Sequence, residues 1–269
     1  MRRMSFLSYD FMKNALVAVL IIAPLFGLLG TMVVSKKMAF FSDALGHSAL
    51  TGIAIGVICG VKNTNLSMIV FAIVFALALN EISRKVVVSK DTIISVFSSA
   101  SLALGLAILS KGGTFSKYSA LLVGDILSIT KGELLLLGGI FLVTLLCWLG
   151  LSNQLLAISL NTTLARSRNM KIHLLEDAFA VLVALVVMVS IKWVGILIIN
   201  AMLILPAAAA ANISSNLREY HFFSIIYALF AGLLGLWSSY YTNVATGPMI
   251  VLVAAAIYFG TYFYAKRFQ

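Results

Sequence analysis

The chain has 269 residues, of which 62% are hydrophobic and 10% are charged, and its mean hydropathy is +1.08. A soluble globular domain carries about 25% charged residues, so this composition excludes a soluble domain and predicts an integral membrane protein. The net charge of +10 comes from basic residues in the breaks between apolar runs, as in the cytoplasmic loops of membrane proteins. It therefore does not indicate a nucleic-acid partner.

Apolar runs close to the roughly 20 residues that a membrane-spanning helix needs recur along the chain. They are expected at about 12–34, 38–60, 64–83, 92–110, 132–150, 174–191, 193–212, 221–240 and 247–265. These nine runs predict an all-α, polytopic membrane helix bundle that forms one transmembrane domain over residues 1–269. A shorter piece at 118–129 is interpreted as a re-entrant or interfacial helix, so totals of eight or ten spans stay open.

Basic residues in alternate breaks predict the orientation of the spans. With nine spans, the breaks at 36–37, 84–90, 166–171 and 218 and the end at 266–267 all fall on one side of the membrane. Cytoplasmic loops carry an excess of Lys and Arg, so this side is expected to be cytoplasmic. The N-terminus then lies outside.

The second span carries two ionisable side chains, Asp43 and His47, four residues apart, and Thr51 continues their stripe. Residues i and i+4 share a helix face, and an ionisable group at the bilayer centre costs at least about 2.5–3.5 kcal/mol. The pair is therefore expected to face the bundle interior or a water-filled cavity. A carboxylate and an imidazole suit a first-row divalent metal ion. A proton relay or a structural Asp–His hydrogen bond uses the same residue types, so the spacing leaves three alternatives open.

A second stripe on the same span consists of small residues, Ser48, Gly52, Gly56 and Gly60. Small residues repeated every four positions let another helix approach closely. The stripe therefore predicts a packing face beside the face that carries Asp43 and His47.

Three further polar residues occur at notable places in the predicted spans. Asn200 lies at about the same depth as His47, from a rise of about 1.5 Å per residue, so its carbonyl oxygen is a candidate metal ligand. An interhelical hydrogen bond is the simpler interpretation of Asn200. The other histidines, His173 and His221, are predicted at the cytoplasmic ends of spans and are expected to be exposed to water.

Five segments in order along the chain carry a family resemblance. They are SKKMAFFSDALGHSALTGIAIG (35–56), SKDTIISVFSSASLALGLAIL (89–109), LLVGDILSI (121–129), VGILIINAMLILPAAAAANI (194–213) and SSYYTNVATGPMIVLVAAAIYF (238–259). Together they resemble the permease subunits of ATP-binding-cassette (ABC) importers for zinc, manganese or iron. The resemblance covers about residues 20–260.

The resemblance implies a function and a set of partners. It implies a permease of the bacterial plasma (inner) membrane that forms the path for zinc, manganese or iron, with Asp43 and His47 at the family's metal-path positions. The expected partners are a cytoplasmic ATP-binding subunit, an extracellular or periplasmic metal-binding protein, and a second copy of the permease or a paralogue, within membrane lipid. No catalytic residue and no permanently bound cofactor are expected. The chain has no G-x-x-x-x-G-K-[ST] loop, so ATP hydrolysis must take place in the partner ATPase.

A polar break at 159–171 is the candidate coupling segment. Its composition fits a helix on the cytoplasmic surface, which is either an interfacial loop or a docking element for a partner. The resemblance implies contact with the ATPase, and the residues expected to make it are Asn161, Leu164, Ala165, Arg166 and Arg168. Family members often have Asp at the position of Asn161 and Gly at the position of Asn169.

Two other classes of membrane protein compete with this interpretation. A secondary transporter would use Asp43 and His47 as a proton or ion relay. An intramembrane enzyme is poorly supported, because the chain has no H-E-x-x-H or G-x-S-x-G motif. Asp and His accept zinc, manganese and ferrous iron alike, so the residues leave the metal open.

Overall fold

The computed structural model describes residues 9–61, 63–86, 88–111, 118 and 124–268, and the elements among them are helical. Their bounds are α1 (Asp10–Ser35), α2 (Ala39–Ile58), α3 (Thr64–Lys85), α4 (Lys90–Lys111), a 3-10 turn (Ile126–Ser128), α5 (Lys131–Leu160), α6 (Thr162–Ser167), α7 (Ile172–Val194), α8 (Ile196–Ala211), α9 (Leu217–Thr242) and α10 (Thr246–Phe268). The predicted all-α class is confirmed.

The long helices match the predicted spans. Eight of them are long and apolar enough to cross a membrane, and α8, with 16 residues, corresponds to the run predicted at 193–212. The α8 helix is short because Gly195 adopts a positive φ of 83° and separates it from α7. Residues 119–123 of the predicted short helix at 118–129 lie outside the described residues, and its described end holds the 3-10 turn.

The chain divides into two compact units that each draw on separate stretches of sequence. Unit 1 comprises Met1–Val34, Val123–Val143 and Lys192–Gln269, and unit 2 comprises Ser35–Leu122 and Thr144–Ile191. Unit 1 therefore holds α1, the first half of α5, α8, α9 and α10. Unit 2 holds α2, α3, α4, the second half of α5, α6 and most of α7.

Unit 1 is built on close backbone approaches at glycines. A Cβ added at Gly30 of α1 would overlap the carbonyl oxygen of Leu203 on α8, and one added at Gly27 would lie 2.8 Å from the carbonyl oxygen of Ser224 on α9. The Ser224 hydroxyl donates a hydrogen bond of 2.6 Å to the Gly27 carbonyl. Because these glycines have no side chain, α1 packs directly against both neighbouring helices.

His221 in unit 1 differs from its prediction. Its Nδ1 lies 2.9 Å from the Thr31 hydroxyl of α1, in a part-buried contact, so the expectation of a water-exposed residue is wrong. His173 at the start of α7 is exposed, as predicted. The Thr31 contact joins residues 190 positions apart, which no local pattern indicates.

Unit 2 packs α3 and α4 against α2. A Cβ added at Gly52 would lie 3.0 Å from the Met68 Cα, and one added at Gly56 would lie 2.6 Å from the Ser67 Cβ, so the predicted packing face is confirmed at these two glycines. Gly60 does not belong to it. Gly60 lies beyond the end of α2 with φ +69°, and a Cβ there would meet nothing within 4 Å.

The neighbouring face of α2, which carries Thr51, packs on α4. Thr51 is buried, and its hydroxyl bonds the Ser101 carbonyl and accepts a hydrogen bond of 3.0 Å from the Ser101 hydroxyl. A Cβ added at Gly105 would lie 2.7 Å from the Thr51 nitrogen. The stripe that begins with Asp43 and His47 therefore ends in a helix–helix contact.

Candidate metal-pathway site and coupling segment

Asp43 and His47 lie one turn apart on α2, as their spacing predicts. Their side chains are 43% and 25% exposed, and His47 Nε2 lies 3.5 Å from Asp43 Oδ1. This separation is long for a hydrogen bond, which normally measures 2.7–3.2 Å. Two ligands each about 2.1 Å from one tetrahedral zinc ion lie about 3.4 Å apart. The two atoms are therefore spaced as neighbouring ligands of a common cation.

The second ring nitrogen of His47, Nδ1, argues against the alternative that Asp43 and His47 form only a structural hydrogen bond. His47 Nδ1 is buried and has no hydrogen-bond partner among the described residues. Buried polar atoms are normally hydrogen-bonded, and an exception calls for an explanation such as strain, a water molecule or a bound ion. A long contact at Nε2 and no partner at Nδ1 do not fit an Asp–His pair that only satisfies itself.

The described residues contain no group of three or more His, Cys, Asp or Glu side chains that could hold a metal ion. Within this part of the chain, Asp43 and His47 could therefore supply only two ligands of an incomplete set. Asn200 lies on α8 in unit 1, whereas the pair lies on α2 in unit 2. A ligand role for Asn200 stays a prediction.

A cavity of unit 1 has different chemistry. It has a volume of about 650 Å³, and its lining includes Phe11, Trp193, Tyr240 and Tyr241. Among the described residues that line it, Asp125 is the one carboxylate and there is no histidine. A transition-metal ion favours imidazole and thiolate ligands as well as carboxylate, so this cavity is a weaker candidate for a metal site than the α2 pair.

The candidate coupling segment contains the short helix α6. Asn161 caps its start, because its side-chain oxygen accepts a hydrogen bond of 3.0 Å from the Thr163 N–H. Ala165 is buried, whereas Arg166 and Arg168 are exposed. The side chain of Leu164 lies outside the described part of the chain. The two arginines are therefore placed where a partner protein can reach them.

The end of α6 accounts for one departure from the family pattern. Asn169 has φ +57°, its N–H bonds the Arg166 carbonyl at 3.0 Å, and the Met170 N–H bonds the Ala165 carbonyl at 3.2 Å. These two bonds form a Schellman motif, whose left-handed residue is usually Gly and sometimes Asn. Asn161 likewise supplies the capping oxygen that Asp would supply. At both positions Asn can therefore fill the local role that Asp or Gly would fill.

Sequence reasoning missed one cluster at an end of unit 2. Lys36, Arg84 and Lys90 were assigned only to basic breaks, yet they line one cavity together with Glu176. Arg84 also forms an ion pair of 2.6 Å with Asp177. The sequence feature that could have indicated this cluster is the adjacent acidic pair Glu176 and Asp177, just after the start of a span in a chain with only 9 acidic residues. The cluster also places these breaks at one end of unit 2, as the alternation of spans requires.

Comparison with known proteins gives a match over nearly the whole chain. The sequence model of the ABC 3 transport family matches residues 8–265. The chain is 29% identical over 259 residues to the manganese import system permease protein ScaB of Streptococcus gordonii, covering 96% of this chain and 93% of that protein. It is 27% identical over 260 residues to the high-affinity zinc uptake system membrane protein ZnuB of Haemophilus influenzae, covering 96% and 99%.

A solved structure has a similar fold. The structure of PsaBC from Streptococcus pneumoniae in complex with Fab superposes with a TM-score of 0.84 at 29% identity. The match covers 97% of this chain and 96% of the matched chain. The similarity therefore extends over the helices of both units.

Proposed function

Because the chain belongs to the ABC 3 transport family, we propose that it is the membrane-spanning permease subunit of an ABC importer for a divalent transition-metal ion. The transported ion is manganese, zinc or ferrous iron. The observation that carries the proposal is the Asp43–His47 pair on α2, with its 3.5 Å spacing, in a chain matched along its length by proteins named for manganese import and zinc uptake.

The pair suits an ion in transit. A pathway site must bind strongly enough to admit the ion and weakly enough to release it. Asp43 and His47 supply an oxygen and a nitrogen ligand from one helix, and one or two further ligands from elsewhere complete a transient site. The close packing of α2 on α3 and α4 supports the helix that carries both ligands, so the ion meets two groups held at a set spacing on one helix face.

The energy for transport comes from a separate polypeptide in this proposal. A cytoplasmic ATPase subunit docks on α6 and its flanking residues, with the exposed Arg166 and Arg168 at the contact. A second permease copy or a paralogue completes the path, and an extracellular or periplasmic binding protein delivers the ion. The whole chain acts as one transport subunit without catalytic residues of its own.

Reconstitution tests the proposal directly. The permease is incorporated into liposomes with its ATPase and binding protein, and uptake of manganese, zinc and ferrous ions is measured with and without ATP. ATP-dependent uptake of at least one of these ions is expected, and its loss in Asp43→Asn vesicles is the matched control. Uptake driven by a pH gradient in the absence of the ATPase would instead indicate a secondary transporter.

A further inference from the structure

Two acidic residues near the start of α7 tie this helix to the end of α3. Arg84 bonds both carboxylate oxygens of Asp177, with its Nη2 2.6 Å from Oδ1 and its Nη1 3.2 Å from Oδ2. Arg84 also donates to the His173 carbonyl at 3.1 Å. Asn80, one turn earlier on α3, donates to Asp177 Oδ1 at 3.0 Å. A bidentate arginine–carboxylate pair fixes orientation as well as distance.

The neighbouring residue, Glu176, ties α7 to the turn that leads into α2. Lys36 Nζ lies 3.0 Å from Glu176 Oε1, and the Lys36 side chain is only 7% exposed. Lys37 has φ +55°, which is uncommon for a residue other than glycine, so the backbone of this turn is tightly constrained. Lys36 thus connects the start of α7 to a short turn that begins α2.

The arginine suits the helix end that carries it. Arg84 lies in the last turn of α3, where the helix dipole favours a cation, whereas Glu176 and Asp177 lie in the second turn of α7. The cavity that Lys36, Asn80, Arg84 and Glu176 help to line has a volume of only about 30 Å³. A displacement of α7 therefore meets packed neighbours, with little empty space to absorb it.

The cluster of Lys36, Arg84, Glu176 and Asp177 lies between two segments of unit 2, the coupling helix α6 and the start of α2. On one side, α7 follows α6 across residues 168–171, and this connection is held by the Schellman bonds and by a bond of 2.9 Å from the Ile172 N–H to the Met170 carbonyl. On the other side, Lys36 precedes Asp43 by seven residues. The end of α3 offers a second route, since α3 packs on α2 at Gly52 and Gly56.

We propose that Glu176 and Asp177 are positioning residues that transmit movement of α6 through Lys36 and Arg84 to the start of α2, which carries Asp43 and His47. The inference rests on the proposed function, in which α6 docks on the ATPase. Both carboxylates are paired with basic side chains, Glu176 with Lys36 and Asp177 with Arg84, and this pairing gives them a positioning role rather than a place in the metal path. Its role is to make the position of α2 depend on the nucleotide state of the ATPase.

The test uses the complete permease–ATPase complex and two variants, each of which removes one of the two ion pairs. Asp177→Asn removes the charge that Arg84 binds, and Lys36→Met removes the Glu176 partner while keeping the apolar stem. Lys85→Gln is the matched control, because Lys85 neighbours Arg84 on α3 but pairs with Glu81. The amount of manganese taken up per ATP hydrolysed should fall about fivefold or more in both Asp177→Asn and Lys36→Met. ATP hydrolysis and the recovery of the complex should stay close to those of the unaltered protein and of Lys85→Gln.

Amide hydrogen exchange gives a readout that does not require transport. In the unaltered complex, adding ATP should change exchange across residues 39–47, and this change should be lost in Asp177→Asn and Lys36→Met while the change across α6 persists. An unaltered ratio of manganese to ATP, a joint loss of hydrolysis and complex, or a persisting change across 39–47 would each overturn the proposal. If the unaltered complex takes up no metal, the proposed function fails, and the exchange measurement still decides whether the link exists.

Discussion

His47 Nε2 lies 3.5 Å from Asp43 Oδ1, one turn apart on α2. This distance is too long for a hydrogen bond of normal strength, which needs about 2.7–3.2 Å. The buried His47 Nδ1 also has no hydrogen-bond partner in the described part of the chain. This geometry supports the proposal that the pair binds a metal ion in transit.

Removing either member of the pair should stop metal uptake. Asp43→Asn keeps the size but removes the charge, and His47→Ala removes the nitrogen ligand. Loss of even an outer-shell partner of a metal costs about 10–100-fold, so each variant should lower uptake at least about tenfold in reconstituted vesicles. Complex assembly should be retained.

The control for these variants is Asp10→Asn, which changes an exposed carboxylate paired with Lys13 and should transport normally. If Asp43→Asn and His47→Ala both take up metal at the unaltered rate, the pair is structural and the metal path lies elsewhere.

A glycine contact predicts a large difference in stability between two chemically identical substitutions. A Cβ at Gly30 would overlap the Leu203 carbonyl oxygen, so Gly30→Ala must push α1 away from α8. Overpacking of this kind costs about 1–3 kcal/mol. A Cβ at Gly260 on α10 meets nothing within 4 Å, and Ala is favoured over Gly in a helix by about 0.5–1 kcal/mol.

Thermal unfolding in detergent measures both glycine variants. Gly30→Ala should lower the melting temperature, and Gly260→Ala should leave it unchanged or raise it. Equal melting temperatures for the two variants would show that α1 and α8 are not in direct backbone contact.

The sequence predicted the features that depend on local spacing. Apolar runs of about 20 residues marked the spans because hydrocarbon requires that length, and the i, i+4 rule placed Asp43 and His47 on one face. The same rule failed at Gly60, where the four-residue repeat continues past the last helical residue. A repeat in sequence is a repeat in space only while the helix persists.

Rules based on local spacing do not predict contacts between residues that are far apart in the sequence. The Thr31–His221 bond joins positions 190 apart, and the Arg84–Asp177 pair joins positions 93 apart. Hydropathy assigns these side chains to span ends, where exposure to water is the default. Whether the end of a span is exposed to water or packed against other helices depends on which helices are its neighbours. The tertiary fold, not the local sequence, determines those neighbours.

The orientation of the chain can be tested by cysteine labelling. Cys59 and Cys147 are both exposed, so they are replaced first. Single cysteines at Arg168 and Arg218, both exposed and predicted to be cytoplasmic, should resist a membrane-impermeant thiol reagent in intact cells. A cysteine at Lys111, exposed and predicted to be external, should react. Rapid labelling at Arg168 in intact cells would reverse the predicted orientation.

Charge reversal in the coupling segment should weaken the contact with the ATPase. Arg166 and Arg168 are exposed beside the buried Ala165, and a basic surface of this kind is expected to face acidic groups on its partner. Placing like charges together at an interface costs several kcal/mol, and each 1.4 kcal/mol is tenfold in affinity. Arg166→Glu and Arg168→Glu should therefore each lower the affinity for the ATPase at least about tenfold, with a parallel loss of stimulated ATP hydrolysis.

The matched control for charge reversal is Arg218→Glu, which reverses an exposed charge at the start of α9 in unit 1. It should leave ATPase affinity within about twofold of the unaltered permease, because a surface charge outside a contact contributes little. Unchanged melting temperatures would show that the α6 variants are folded, which their exposed side chains lead us to expect. If Arg166→Glu and Arg168→Glu bind and stimulate the ATPase normally, α6 is an interfacial helix and the docking surface lies on another part of the permease.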